Sequence, residues 1–199
     1  MTSLSTRIVA VTAALASAVV VSSCTKTDDH SQHPHPSTST SSTVASHNAD
    51  DIMFAQMMIP HHEQAVTLAA LAPQHTTNPA VLTLATTISA EQQPEIQAMK
   101  ALLLQWEVDP NAMPDHGGHG GTAMQGMVDE ATMAKLQTLN GPAFDTLWLQ
   151  SMIGHHQGAI DMANTEIAKG KSVDMIAMAK SMVTAQQAEI NQMKQMLGG

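Results

Sequence analysis

Two histidine pairs, His61-His62 and His155-His156, each follow a methionine, Met58 and Met152, at three and four residues. On an α-helix those spacings share a face, so each set offers one thioether and two imidazoles from nearly one side. Glu95 with Met99, and Glu189 with Met193, place a carboxylate and a thioether at the same four-residue spacing. Thioether with imidazole suits Cu(I) or Ag(I), and carboxylate with imidazole suits zinc or iron. The same groups also fit a metal-free core, because a His–Glu hydrogen bond satisfies both partners and methionine at helical spacing is ordinary filling. A further constellation, Met113, His116, His119, Met124 and Met127, is interleaved with Gly117, Gly118, Gly120 and Gly121. Glycine leaves a backbone free to wrap an ion, and Met with His in a chain poor in Cys again favours copper or silver; the alternative is a flexible loop.

Around these residues the chain repeats itself. An offset of 94 residues lays His61 on His155 and aligns two segments without a gap. Asp51 to Ala69 falls on Asp145 to Ala163, and Ile88 to Leu103 on Met182 to Leu197. The shared positions include Gln56/Gln150, Met58/Met152, His61/His155, His62/His156, Gln92/Gln186, Gln93/Gln187, Glu95/Glu189, Met99/Met193 and Lys100/Lys194. A duplication under no constraint but packing keeps hydrophobicity, not this polar set. One helical hairpin cannot bury its apolar stripe alone, whereas two can in a four-helix bundle.

The elements follow from periodicity and punctuation. Phe54, Met58, His61, Ala65, Leu68 and Ala72 mark one face of a first helix that is expected to stop at Pro73. Asn78-Pro79 starts a second helix, to about Trp106, with the stripe Ile88, Gln92, Glu95, Met99, Leu102 and Trp106. A loop from about Asp109 to Met127 precedes a short helix capped by Asp129. Asn140-Gly141-Pro142 opens the next helix, Gly170 closes it, and Ser172 caps the last. Pro60 and Gly154 stand just before the two His pairs, where each loosens its helix enough for a bulge or a tolerated kink. The expected fold is all-α, a four-helix bundle of two tandem hairpins in residues 50–199: repeat one 50–107, loop and short helix 108–140, repeat two 141–199.

Composition agrees. Hydrophobic residues are 43% and aromatic residues 2% of 199, with 16 Met, 11 His and no Tyr. Such a core is built from Ala, Leu, Ile, Val and Met, which suits helices better than a β-sandwich. A net charge of -9 with 8 Lys+Arg excludes a nucleic-acid footprint. No phosphate-binding glycine loop or serine nucleophile elbow is present. At the N-terminus, Arg7, the apolar run Ile8 to Val21 and the small residues Ser22 and Ser23 read as a secretory signal peptide, 1–23. Val21-Ser22-Ser23-Cys24 resembles a lipobox, with Cys24, the single cysteine, as the lipidated residue. Residues 24–49, rich in Ser, Thr, His and Pro, read as a disordered tether. The expected location is outside the cell, lipid-anchored on the outer face of the cytoplasmic membrane or in the periplasm.

The segments Met58-Ile59-Pro60-His61-His62-Glu63-Gln64-Ala65 and Met152-Ile153-Gly154-His155-His156-Gln157-Gly158-Ala159 resemble the signature of the bacterial domain-of-unknown-function family numbered 305. Gln92-Gln93-Pro94-Glu95-Ile96, Gln186-Gln187-Ala188-Glu189-Ile190 and the stretch from Gly126-Met127 to Phe144-Asp145 fit it too. The resemblance implies a ferritin-like four-helix fold, an exported protein, and for some relatives a link to copper binding and tolerance. It carries Met58, His61, His62, Met152, His155 and His156 over as candidate ligands. Ser151 stands where the repeat has Met57, a departure from a fully Met-rich copper binder. Three functions stay open: a copper or silver lipoprotein that buffers or transfers metal, a ferritin-like dinuclear iron or manganese enzyme, and a metal-free interaction module. The enzyme ranks lower, since the histidine helices lack the Glu-x-x-His motif such centres use. The protein partner is unknown.

Overall fold

Each helix begins where a residue can satisfy the backbone N–H groups that a helix leaves unpaired. Asn48 and Asp51 form a reciprocal capping box at the start of α1 (Ala49–His75): Asp51 N donates to Asn48 Oδ1 at 3.1 Å and Asn48 N to Asp51 Oδ2 at 2.6 Å. Asn78 caps α2 (Pro79–Gln105), with Pro79 in the first position. Asp129 caps the short α3 (Glu130–Leu136), accepting from Thr132 N at 2.8 Å. Gly141, at φ 56°, turns the chain into α4 (Pro142–Lys169), and Ser172 caps α5 (Val173–Met196). The computed structural model describes residues 46–112 and 124–198, and among these there is no strand. The fold is all-α.

Pro73 does not stop α1. The helix runs two residues further because Thr76 N still donates to Ala72 O, 3.0 Å, and closes the last turn. Pro60 also lies inside α1, which continues through it without a break. No helix of the described residues is long and apolar enough to cross a membrane.

The hairpins α1/α2 and α4/α5 pack through an α1–α4 contact. Their buried faces form two apolar clusters. One holds Leu68, Leu84, Ile88, Phe144 and Trp148 with Met152 and Met193. The other holds Phe54, Met58, Met99, Leu103, Met175 and Met182. Trp148 anchors the first cluster, its indole N–H donating to Leu68 O at 2.8 Å across the α1–α4 contact. Between the clusters in sequence, on all four long helices, fall the shared polar residues His61 and His62, Gln92 and Glu95, His155 and His156, and Gln186 and Glu189.

The duplication also fixes how the hairpins join. The residue before α1 reaches the end of α4, Asn48 Nδ2 donating to Lys169 O at 2.9 Å. The residue before α4 reaches the end of α1, Gly141 N donating to His75 O at 2.7 Å. Asp51 accepts from Ser172 N at 2.8 Å and Lys171 N at 3.0 Å, while its repeat partner Asp145 accepts from Asn78 Nδ2 at 3.0 Å. Each hairpin thus holds the turn of the other, with the stronger set at Asp51.

A buried histidine belt as the candidate metal centre

His61, His62, His155 and His156 are all 0% exposed. The helical periodicity puts them on the inward faces of α1 and α4, and the α1–α4 contact brings the repeat partners His61 and His155 together, ring centroids 3.7 Å apart. Flanking them, His62 Nε2 lies 2.8 Å from Glu95 Oε2 and His156 Nε2 2.8 Å from Glu189 Oε2. The two pairs are repeat images, each joining the two helices of one hairpin.

The hydrogen bonds decide which ring nitrogen is free. A carbonyl only accepts, so His61 Nε2 carries the proton it donates to Gln125 O, 3.2 Å away. A carboxylate oxygen likewise accepts, so the contacts with Glu95 and Glu189 place N–H at Nε2 of His62 and His156. In a neutral imidazole the other nitrogen then presents a lone pair. That nitrogen, Nδ1, is buried and without a hydrogen-bond partner in all four histidines, and in His155 both nitrogens are. An imidazole that gives one N–H to a carboxylate or carbonyl and keeps its other nitrogen bare has the arrangement of a metal-ligating histidine. Burial, and then the neighbouring imidazoles, depress the basicity of His61 to a pKa of about 3 and that of His155 further still. Both rings are therefore neutral at pH 7, and protons do not compete for their lone pairs.

Leaving such groups unpaired costs about 1–3 kcal/mol each. The belt also leaves both amide atoms of Gln92, the Gln186 carbonyl oxygen and Glu189 Oε1 unpartnered. Among the described residues no three His, Cys, Asp or Glu side chains are grouped as a ready site for an ion. Thioethers lie beside the belt on both sides: Met58 and Met99 belong to one apolar cluster and Met152 and Met193 to the other, all 0% exposed. A soft ion of low coordination number needs fewer nitrogen and oxygen donors than zinc or iron, and accepts thioether sulfur.

The loop expected as a separate site touches this belt. Residues 124–128 lie on α1 and α4, with Gln64 bonded to both the N–H and the carbonyl of Val128 at 2.8 Å, and Gln125 Nε2 donating to Asp161 at 2.7 Å. Met124 and Met127 are half-buried there. The approach is close enough that Gly158 has no room for a side chain: a Cβ would sit 2.0 Å from Gln125 O. Gly126, at φ 85°, packs back on Gly154 and Gly158. Gly158 is the repeat partner of Gln64, so the loop breaks the internal symmetry: a glutamine holds it on one side and a glycine admits it on the other. That asymmetric pair was visible in the aligned repeats, although only the fold gives it meaning. Met113, His116, His119 and Cys24 lie outside the described residues, as do His30, His33 and His35 of the tether.

Another buried acid group was missed in the sequence. Glu166 is 1% exposed beside Asp51, which is 0% exposed. Asp51 is held below the usual carboxylate range by the N–H groups of Ser172, Asn48 and Lys171 and by Glu166, which together outweigh its burial. Burial, and then Asp51, push Glu166 up to about 8. Glu166 therefore keeps its proton at neutral pH and gives it to Asp51. Its repeat partner is Ala72, so no symmetry pointed to it.

The comparisons with known proteins agree with this architecture. The model of the DUF305 family, a domain of unknown function, matches residues 51–197. A DUF305 protein of Streptomyces coelicolor, named as secreted, is 31% identical over 75% of this chain and 91% of its own, with a TM-score of 0.69. A DUF305 fragment from Deinococcus radiodurans is 32% identical over 76% of this chain and 97% of its own, with a TM-score of 0.67. CopM in its Cu(I)-bound form is 32% identical over 73% of this chain and 93% of its own, with a TM-score of 0.60. No curated protein matches. The family match covers the whole bundle, including both His-His segments and the loop that closes on them, and on that ground the chain belongs to the DUF305 family.

Proposed function

We propose that this chain binds a soft monovalent metal ion, Cu(I) or Ag(I), through imidazole and thioether groups. As an exported lipoprotein anchored through Cys24, it buffers that metal in the cell envelope, confers tolerance to it or passes it on. One observation carries the reading: four buried imidazoles, those of His61 and His155 neutral, each keep an unpartnered Nδ1, with three Nε2 positions facing an oxygen acceptor and buried methionines on either side. The relative CopM has structures in Cu(I)-bound, Ag-bound and Cu(II)-bound forms, which supports copper or silver, while the thioethers favour the monovalent ion. The core ligands in this reading come from His61, His62, His155 and His156 with Met58, Met152, Met99 and Met193. Glu95 and Glu189 act by orienting His62 and His156. Met113, His116, His119, Met124 and Met127 form a second, loop-borne donor set that hands metal to the belt or takes it away.

A metal-free reading has its own support in the His–Glu pairs, which already satisfy Nε2 of His62 and His156. The dinuclear iron or manganese alternative has less, because Glu95 and Glu189 are each engaged by a histidine and no three His, Cys, Asp or Glu side chains are grouped as an ion site among the described residues. Titration of the full chain with Cu(I) against a chromophoric chelator separates these readings, together with elemental analysis of the protein as purified. Tight, saturable binding that weakens at least tenfold in His61→Ala/His155→Ala is expected. A chain that stays metal-free at micromolar Cu(I) would overturn the proposal.

A further inference from the structure

A groove of about 210 Å³ lies between α1 and α4, away from the histidine belt, and three methionines line it. Met53 and Met57 stand four residues apart on α1, and Met162 faces them from α4. Met53 is 43% exposed, and Met57 and Met162 are half-buried, so the groove they line is open to solvent. Asp50 stands at the same groove, and so does Glu166, to whose oxygens no protein N–H or hydroxyl is bonded.

The duplication supplies an internal control. The repeat partners of Met53, Met57 and Met162 are Leu147, Ser151 and Leu68, and those of Asp50 and Glu166 are Phe144 and Ala72. They occupy the corresponding α1–α4 contact of the other repeat, where Leu68, Phe144 and Ala72 are fully buried. Hydrocarbon therefore fills that position. Packing alone does not account for three thioethers and two carboxyl groups gathered on one side only, half-open to water.

We propose that the groove of Met53, Met57 and Met162 is a further, solvent-accessible site for a soft monovalent cation, distinct from the belt and the loop, with thioether ligands and the carboxyl groups of Asp50 and Glu166 as its polar wall. Thioethers favour Cu(I) and Ag(I) over the harder divalent ions, and the negative charge that Asp51 shares with protonated Glu166 beside the groove favours a cation over a neutral ligand. The proposal rests on the copper reading above for the identity of the ion, not for the location of the site. An entry position open to solvent complements a belt that is closed to it.

The test is Ag(I) titration of the full chain, followed through the methionine methyl NMR signals and by counting bound silver. The signals of Met53, Met57 and Met162 are expected to shift together. The variant Met53→Leu/Met57→Leu/Met162→Leu, which nearly conserves volume, is expected to lose one bound equivalent. His61→Ala/His155→Ala is expected to keep that equivalent. If silver binds but these three methyl signals stay in place, the groove proposal is overturned and the belt reading survives. Absence of any bound silver overturns both. Should the triple variant not fold, the methyl shifts of the unsubstituted chain decide the matter alone.

Discussion

Replacing Gly158 by alanine tests whether the 124–128 segment is locked onto the bundle. Inside a helix this change ordinarily stabilises by about 0.8–1.0 kcal/mol. Here the new Cβ would lie 2.0 Å from Gln125 O, 2.5 Å from Gln125 C and 2.7 Å from Gly126 Cα. All three are backbone atoms and cannot rotate aside, so the segment must lift. Lifting strains or breaks the bonds of Gln64 to Val128, of Gln125 to Asp161 and of His61 to Gln125 O. At a net value of about 1 kcal/mol each, losing three of these outweighs the helical gain by about 2 kcal/mol. In a domain of this size that lowers Tm by roughly 4–8 °C. Gly154→Ala on the same helix is the control, because its Cβ meets nothing within 4 Å and only the propensity gain applies. Urea unfolding at unchanged m reads both differences directly. The refuting result is a Gly158→Ala protein as stable as Gly154→Ala, which would mean that the loop does not rest on α4.

Acid should destabilise the metal-free protein steeply. His61 and His155 are neutral in the fold, whereas in the unfolded chain they protonate near 6.5, so stability falls as pH drops below that value. For His61 the loss continues to about pH 3, at roughly 1.4 kcal/mol per pH unit for each proton. Urea midpoints from pH 7 to pH 5 check this, and a flat profile would contradict the buried neutral pair. Glu166 acts in the opposite direction over an overlapping range: the fold keeps its proton up to about 8 and the unfolded chain releases it near 4.5, so stability declines as pH rises between those values and offsets part of the histidine effect. Glu166→Gln, which retains a donor to Asp51, should remove that opposing slope, steepening the profile below about pH 6.5 and flattening it from there to about 8. Asp51→Ala should cost about 3 kcal/mol in thermal or urea unfolding, since the N–H groups of Lys171 and Ser172 lose their acceptor in a buried turn. Asp145→Ala, which releases a single exposed side-chain bond to Asn78, should cost less than about 1 kcal/mol.

Much of the architecture was legible because it is set by local chemistry. Asn78, Asp129 and Ser172 cap helices by bonding N–H groups two or three residues away, and a stripe such as Phe54, Met58, His61, Ala65 and Leu68 defines a buried face by its period alone. The exact end of α1 was not legible, since Thr76 closes a turn that Pro73 only weakens.

The 94-residue repeat carried the rest of what sequence determines: two hairpins, one bundle, and a polar set held in both copies. It did not say that His61 and His155 would lie ring against ring, because that depends on α1 lying against α4, a contact between residues nearly a hundred positions apart. Nor did it reveal which imidazole nitrogens stay free, since that follows from where Glu95, Glu189 and the Gln125 carbonyl come to rest. The groove of Met53, Met57 and Met162 and the Asp51–Glu166 pair were invisible for the same reason: each joins one residue set on α1 to another on α4. Spacing along a helix is written in the chain, but the register between helices is fixed only when their side chains pack, and the chemistry of this belt depends on that register.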